Sequence, residues 1–264
     1  MRIIRGRKAL VTGAAAGIGR AIALALAREG ADLFLLDIEG DKLEAVARQA
    51  RELGVTAIAD LCDLSDAAQV SAAVERLTAA WGGLDILINN AGVSWYGPTE
   101  TMTAAQWQRI LAINLLAPVQ LFAELLPLLA AAEEAHVLNV CSMFGVAPWR
   151  KAAAYQTSKY GLVGFTAALR AEFERENFGV TALCPGFVDT ALLDGKANIR
   201  AASARFSATP EIVARKALRA IRRKRGLILV TPAAHFYWRF EESENAWSRI
   251  PAMRPPLVMA RPPN

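Results

Sequence analysis

The stretch Thr12-Gly13-Ala14-Ala15-Ala16-Gly17-Ile18-Gly19 constrains this chain more than any other. It follows a short apolar run, Ala9-Leu10-Val11, and opens an Ala- and Leu-rich segment that reads as helix through Arg28. Strand, glycine turn and helix N-terminus in that order leave free backbone N–H groups and the positive end of a helix dipole facing one point. That is an anion site suited to a pyrophosphate. The glycines let the backbone approach the ligand, so Gly13, Gly17, Ile18 and Gly19 are the first candidate cofactor contacts.

The rest of the chain continues the alternation. Asp32-Leu33-Phe34-Leu35-Leu36 reads as a buried parallel strand that ends at Asp37, 18 positions past Gly19. This is close to the spacing expected of a carboxylate that accepts hydrogen bonds from an adenosine ribose; a merely solvated strand-end Asp is the alternative. Helices are predicted at about 41–53, 66–80, 103–130, 153–177 and 210–223, and strands at about 55–60, 84–89, 137–141, 179–184 and 227–230. Apolar strands alternating with helices predict an α/β chain, a single-domain Rossmann fold with a doubly wound, seven-stranded parallel sheet covered on both faces. With 54% apolar residues the chain can bury a full core, and no long Gly/Ser or Pro stretch divides residues 1–264. Residues 191–209 read as a substrate-covering segment, and 232–264 as a C-terminal extension. The aromatic run His235–Phe240 is expected over the substrate mouth or against a partner subunit, with membrane-surface contact as the alternative.

The net charge of +5 is mild and its basic residues are scattered, apart from Arg219 and Arg222–Arg225 at a helix C-terminus, where cations complement the dipole. No nucleic-acid partner is expected. Cys62, Cys141 and Cys184 lie in or beside apolar runs without the C-x-x-C spacing of zinc or redox sites, so buried free thiols and no metal are predicted. The N-terminus lacks the apolar core of a signal peptide, and no uninterrupted stretch approaches a spanning helix, which reads as a cytoplasmic protein.

Candidate chemistry gathers at the carboxyl ends of the strands. Asp63 and Asn89-Asn90-Ala91-Gly92 fall there, with Asp63, Asn90 and Gly92 as candidate cofactor contacts. So does the turn Pro185-Gly186-Phe187-Val188-Asp189-Thr190, which adds Pro185, Gly186, Val188 and Thr190. Tyr155 and Lys159 are four apart on a predicted helix and so share a face. An ammonium beside a phenol favours the phenolate and lowers its pKa from about 10, as a general acid/base requires; a surface pair on an amphipathic helix is the competing reading. Ser142, past the fifth strand, could bond the same substrate oxygen. Pro118 has no N–H, so the Asn114 carbonyl four residues earlier is free to bond a water, or the helix is simply kinked.

Thr12-Gly-x-x-x-Gly-Ile-Gly19, Asn89-Asn-Ala-Gly92, Asn114, Ser142, Tyr155-x-x-x-Lys159 and Pro185-Gly186 occur in the order and near the spacings of one family. Over roughly residues 5–231 the chain resembles the short-chain dehydrogenase/reductases. The resemblance implies a catalytic tetrad of Asn114, Ser142, Tyr155 and Lys159. In it Tyr155 transfers a proton to or from the substrate oxygen while hydride passes to or from the nicotinamide, and Ser142 orients that oxygen. Lys159 bonds the nicotinamide ribose and lowers the Tyr155 pKa, and Asn114 holds a relay water. A homodimer or homotetramer through the fifth and sixth helices is also implied.

The substrate is expected to be a hydrophobic secondary alcohol or ketone, because the pocket candidates Ser94, Trp95, Tyr96, Phe144, Trp149, Phe187, Leu192 and Leu193 are mostly apolar or aromatic. Alternatives are a 3-oxoacyl or 3-hydroxyacyl thioester, or a non-catalytic NAD-binding regulatory protein, whose signature would be a broken tetrad. NAD is expected over NADP. Asp37 would oppose a 2′-phosphate, and neither Ile38 nor Ala16 supplies the base that NADP enzymes of this family often carry there.

Overall fold

The computed structural model describes residues 1–175, 177–189, 207–231 and 234–235. Its strands are β1 (Lys8–Thr12), β2 (Asp32–Asp37), β3 (Ala57–Leu61), β4 (Ile86–Asn89), β5 (Ala135–Val140), β6 (Phe178–Cys184) and β7 (Leu227–Leu229). They form one sheet in the order β3-β2-β1-β4-β5-β6-β7, every neighbouring pair parallel. The expected doubly wound sheet is therefore present. Its strand order reverses between β1 and β4, and such a reversal opens a crevice beyond the strands' carboxyl ends.

The connecting helices are α1 (Gly17–Arg28), α2 (Gly40–Glu52), α3 (Ala67–Trp81), α4 (Ala104–Leu111), α5 (Ala117–Ala131), α6 (Ala153–Phe173) and α7 (Pro210–Arg223). Strand side chains alternate between two cores, as a period of two demands. Ala9, Val11, Leu33 and Leu35 pack with Ile22, Leu26, Leu43 and Val213 on the face covered by α1, α2 and α7. Leu10, Phe34, Leu36 and Leu87 pack with Val70, Leu77, Leu121 and Leu125 on the other face. Burial on both faces is why these strands read as continuous apolar runs rather than alternating ones.

The predicted helix at 103–130 is interrupted. A π-helical turn, Ala112–Leu116, joins α4 to α5 and contains Asn114, with Pro118 in the first turn of α5. A missing N–H at Pro118 breaks the regular i→i−4 ladder, and a π-turn is one way the backbone absorbs such a break. The same region corrects a second expectation. Ala104–Ala131 forms 28 helical residues with a mean hydropathy of 1.7 over its most apolar window, long and apolar enough to cross a membrane. Here Leu121, Leu125 and Leu129 are instead buried in the core beneath the sheet.

Of the basic cluster at the end of α7, Arg222 pairs with Glu29 and Lys224 with Glu134, so two of its cations serve the fold. All three cysteines are buried free thiols. Most of the predicted covering segment 191–209, with Leu192 and Leu193, lies outside the described residues, as do Thr190 and the aromatic run from Phe236.

Candidate active site

One cleft runs along the carboxyl edge, from Asp37 and Asp63 at one end to Ser142, Tyr155 and Phe187 at the other. At the first end the glycine turn is held by close backbone contacts. Gly13 has φ +63°, and a Cβ at Gly19 would sit 2.0 Å from the Gly13 carbonyl oxygen, so a side chain at either position would push the turn apart. Ala16, before α1, offers no side-chain cap, and α1 has no acidic residue in its first turn. With Gly13, Ala16, Gly17 and Ile18 lining the cleft, the positive end of α1 faces it uncompensated. This fits a pyrophosphate.

The Asp37 carboxylate ties the end of β2 to the turn: Oδ2 accepts from Ala15 N at 2.9 Å, and Oδ1 from Ile38 N at 2.7 Å and Glu39 N at 3.1 Å. A cation that sequence reasoning missed, Lys42, lies one turn into α2. Its Nζ donates to both Glu39 oxygens, at 2.8 and 2.9 Å. Its charge is thus already matched by Glu39 rather than offered to a ligand.

Asn90 and Asp63 stand on the cleft, but much of their bonding capacity is spent on protein. The Asn90 amide donates to the carbonyls of Thr12 at 3.0 Å and Gly13 at 3.1 Å. Thr12 Oγ1 in turn accepts from Asn90 N at 2.9 Å and Ala91 N at 3.0 Å. Thr12 is therefore a brace between β1 and β4, and its place just ahead of Gly13 was the signal for it. Asp63 Oδ1 accepts from Ser65 N at 2.9 Å and Ser65 Oγ at 2.7 Å, which holds its carboxyl below the usual range. Arg109 and Ile113, on the turns before Asn114, also line this part of the cleft and were not anticipated. The two are four residues apart, a spacing that puts them on one helical face and was a usable signal for a shared lining.

At the other end α6, β5 and the π-turn converge. The fully buried Asn114 side chain clamps the segment after β4: Oδ1 accepts from Val93 N at 2.9 Å, and Nδ2 donates to Val93 O at 2.9 Å and Ser158 Oγ at 3.0 Å. Gly92 packs against this clamp, a Cβ there lying 3.3 Å from Asn114 Oδ1 and 3.5 Å from Lys159 Nζ. Lys159 is buried and donates from Nζ to the Val140 carbonyl at 2.9 Å.

Tyr155 reaches the same floor, 5.9 Å from Lys159 Nζ to its ring centroid, with the Ser142 side chain as the polar group that acts on its hydroxyl. Ser142 Oγ also accepts from Phe144 N at 3.1 Å. All four members of the expected tetrad thus converge, but the expected electrostatics are corrected. Burial pushes the Tyr155 phenol up to about 12, against a smaller opposing pull from Ser142, and burial lowers the Lys159 ammonium. Lys159 Nζ itself points at the Val140 carbonyl.

Ser94, Trp95, Tyr96, Phe144 and Phe187 line the cleft near Tyr155, as do Pro185, Gly186 and Val188. Trp149 does not. It stacks on Phe144 at 5.1 Å between ring centroids and meets Phe187 edge-on at 6.2 Å. It supports the pocket wall from behind.

Comparisons with known proteins agree with this geometry. The profile of a family described as "short chain dehydrogenase" matches residues 7–200. "Uncharacterized oxidoreductase YxjF" of Bacillus subtilis is 34% identical over 190 residues, 72% of this chain and 74% of that protein. "Probable oxidoreductase EphD" of Mycobacterium tuberculosis is 39% identical over 183 residues, 68% of this chain; the chain spans only 31% of EphD's length. A short chain dehydrogenase/reductase from Burkholderia phymatum, solved in complex with NAD, superposes with a TM-score of 0.88 at 26% identity, covering 98% of this chain and 100% of that one. Solved neighbours of the fold hold NAD or NADP. The nucleotide end, the converging polar residues and the matched profile together make this chain an oxidoreductase of the short-chain dehydrogenase/reductase family.

Proposed function

We propose that the chain transfers a hydride between NAD(H) and a hydrophobic secondary alcohol or ketone. The observation that carries this reading is a single cleft with an uncapped helix N-terminus and Asp37 at one end and Ser142, Tyr155 and Lys159 at the other. When bound, the nicotinamide supplies the hydride or accepts it. The chain's own residues do the rest. Tyr155, protonated at neutral pH because burial holds its pKa up at about 12, delivers a proton to the carbonyl oxygen of a ketone. Ser142, beside that hydroxyl, orients that oxygen. Lys159, held at the Val140 carbonyl, would bond the cofactor ribose, and the clamped Asn114 would offer its backbone carbonyl to a relay water.

Trp95, Tyr96, Phe144 and Phe187 give the substrate end an apolar, aromatic wall. That wall favours a steroid-, lipid- or acyl-like carbon skeleton. A homodimer or homotetramer through the α4–α5 stretch and α6, in the cytoplasm, completes the reading; size-exclusion chromatography with light scattering tests the assembly.

NAD is preferred over NADP by at least about a hundredfold, or roughly 2.7 kcal/mol, because a 2′-phosphate at Asp37 meets a like charge while the neighbouring Lys42 is matched by Glu39. The test is the affinity for NADH against NADPH, followed by turnover over a panel of secondary alcohols, free ketones and 3-oxoacyl thioesters. Asp37→Asn keeps an acceptor for the backbone donors while removing the charge, and should erase most of the preference. Equal or tighter binding of NADPH by the unmodified chain would refute the assignment, and turnover of thioesters alone would replace the substrate class.

A further inference from the structure

We propose that Cys141 and Cys184 form a paired thiol site in the floor of the cleft, which a hydroperoxide closes into a disulfide that disturbs the anchoring of Lys159 and Ser142. The register of β5 and β6 pairs Val140 with Leu183, and the ladder continues one rung through Cys141 N to Leu183 O at 2.8 Å. That rung sets Cys141 beside Cys184. In-register neighbours on parallel strands point to the same face, with their strands about 4.8 Å apart, and disulfides span Cα separations from about 4.4 Å upward. The two thiols are close enough for Cys141 to perturb the titration of Cys184, and they share one apolar cluster with Met143 and Leu162. Cys141 lines the cleft, whereas Cys184 is fully buried behind it, so a small oxidant entering the cleft meets Cys141 first.

The chemistry balances in two steps. The Cys141 sulfur takes an oxygen from the hydroperoxide: an S–O bond forms, the O–O bond breaks, and an alcohol (water, for hydrogen peroxide) leaves with the thiol proton. The Cys184 sulfur then attacks the Cys141 sulfur. The S–S bond forms, the S–O bond breaks, and hydroxide leaves as water with the Cys184 proton. Two electrons have passed from sulfur to peroxide. The neighbouring Cys141 and then burial keep the Cys184 thiol well above its ordinary pKa, so the second step is slow, on the scale of minutes to hours.

The consequence reaches the cofactor because the residues on either side of Cys141 hold the site. Val140 O accepts from Lys159 Nζ at 2.9 Å, and Ser142 acts on the Tyr155 hydroxyl. Drawing two sulfurs from non-bonded contact to a bond of about 2.05 Å pulls that segment toward β6.

The experiment exposes the full chain to hydrogen peroxide and reads two things: peptide mass mapping, and NADH affinity by fluorescence. The expected result is a 141–184 crosslink with loss of two hydrogen atoms and at least about tenfold weaker NADH binding, a change of about 1.4 kcal/mol, both reversed by dithiothreitol. Cys62→Ser should leave crosslinking unchanged, while Cys141→Ser and Cys184→Ala should each abolish it. A crosslink through Cys62 or between chains, or sulfinic acid at Cys141 with no link, overturns the site. A 141–184 crosslink with unchanged NADH affinity overturns the coupling. If the reduced protein fails to bind NADH at all, the cofactor reading fails, while the crosslink still decides the thiol site.

Discussion

Two clusters of buried or half-buried charge sit at opposite edges of the same sheet, and they are built on opposite principles. At the amino edge three cations have acids: the Met1 ammonium meets Glu134 at 3.1 Å, Lys224 meets Glu134 at 3.3 Å, and Arg7 meets Asp85 at 3.1 Å. His136 lies in this edge with Nε2 2.9 Å from Thr181 Oγ1. At the carboxyl edge Lys159 is 3% exposed, yet among the described residues no carboxylate is in ion-pair reach, and its ammonium has a carbonyl instead. Matched charges spend their field on each other and contribute to holding the strands' ends. An unmatched buried cation costs desolvation and keeps its field available to a ligand. Stability belongs to the first edge and chemistry to the second.

Breaking the second edge should therefore cost activity and little else. The largest effect is expected from Tyr155→Phe, with turnover falling about 10²- to 10⁴-fold while NADH affinity and melting temperature stay close to the parent. A loss below tenfold would assign the proton to another group. Next, Lys159→Met should lower turnover by about a hundredfold, or roughly 2.7 kcal/mol of barrier, without lowering the melting temperature, since it removes a desolvated cation. A clear drop in melting temperature would show that Lys159 serves the fold as the amino-edge cations do.

Breaking the first edge should cost stability alone. Burial first, then the charges of Met1, Lys224 and Arg170, hold His136 down at about 3 from its ordinary 6.5. Because the folded pKa is depressed, the stabilisation of neutral His136 is fully present above pH 6.5. It is lost as the pH falls toward 3, at about 1.4 kcal/mol per unit. Urea unfolding at about pH 5.5 and 4.5 should show nearly this slope in the parent and lose it in His136→Gln; equal slopes would place the acid sensitivity elsewhere. The smallest effect is Glu134→Gln, about 0.5–1 kcal/mol in urea unfolding with turnover unchanged, the size set by partial exposure of the pair. Any change in NADH affinity in that variant would mean that the two edges are coupled.

Sequence alone determined what depends on neighbours along the chain. The strand, turn and helix alternation, the glycine turn, the strand-end acids and the Tyr155/Lys159 spacing are local patterns, and backbone geometry turns each into a shape without reference to distant residues. That was enough for the sheet, the cleft's position and the four converging polar residues. Only the tertiary structure decided which bonds those residues make. It spent the Asn90 amide on Thr12 and Gly13, put Trp149 behind Phe144 and turned Lys159 toward Val140. It also joined Met1, Glu134 and Lys224, whose proximity no spacing reveals. Burial set the Tyr155 pKa against the direction that helical adjacency suggested. Spacing along a helix fixes which face a group occupies. Desolvation and partners from other strands fix its charge, and both exist only once the chain has folded.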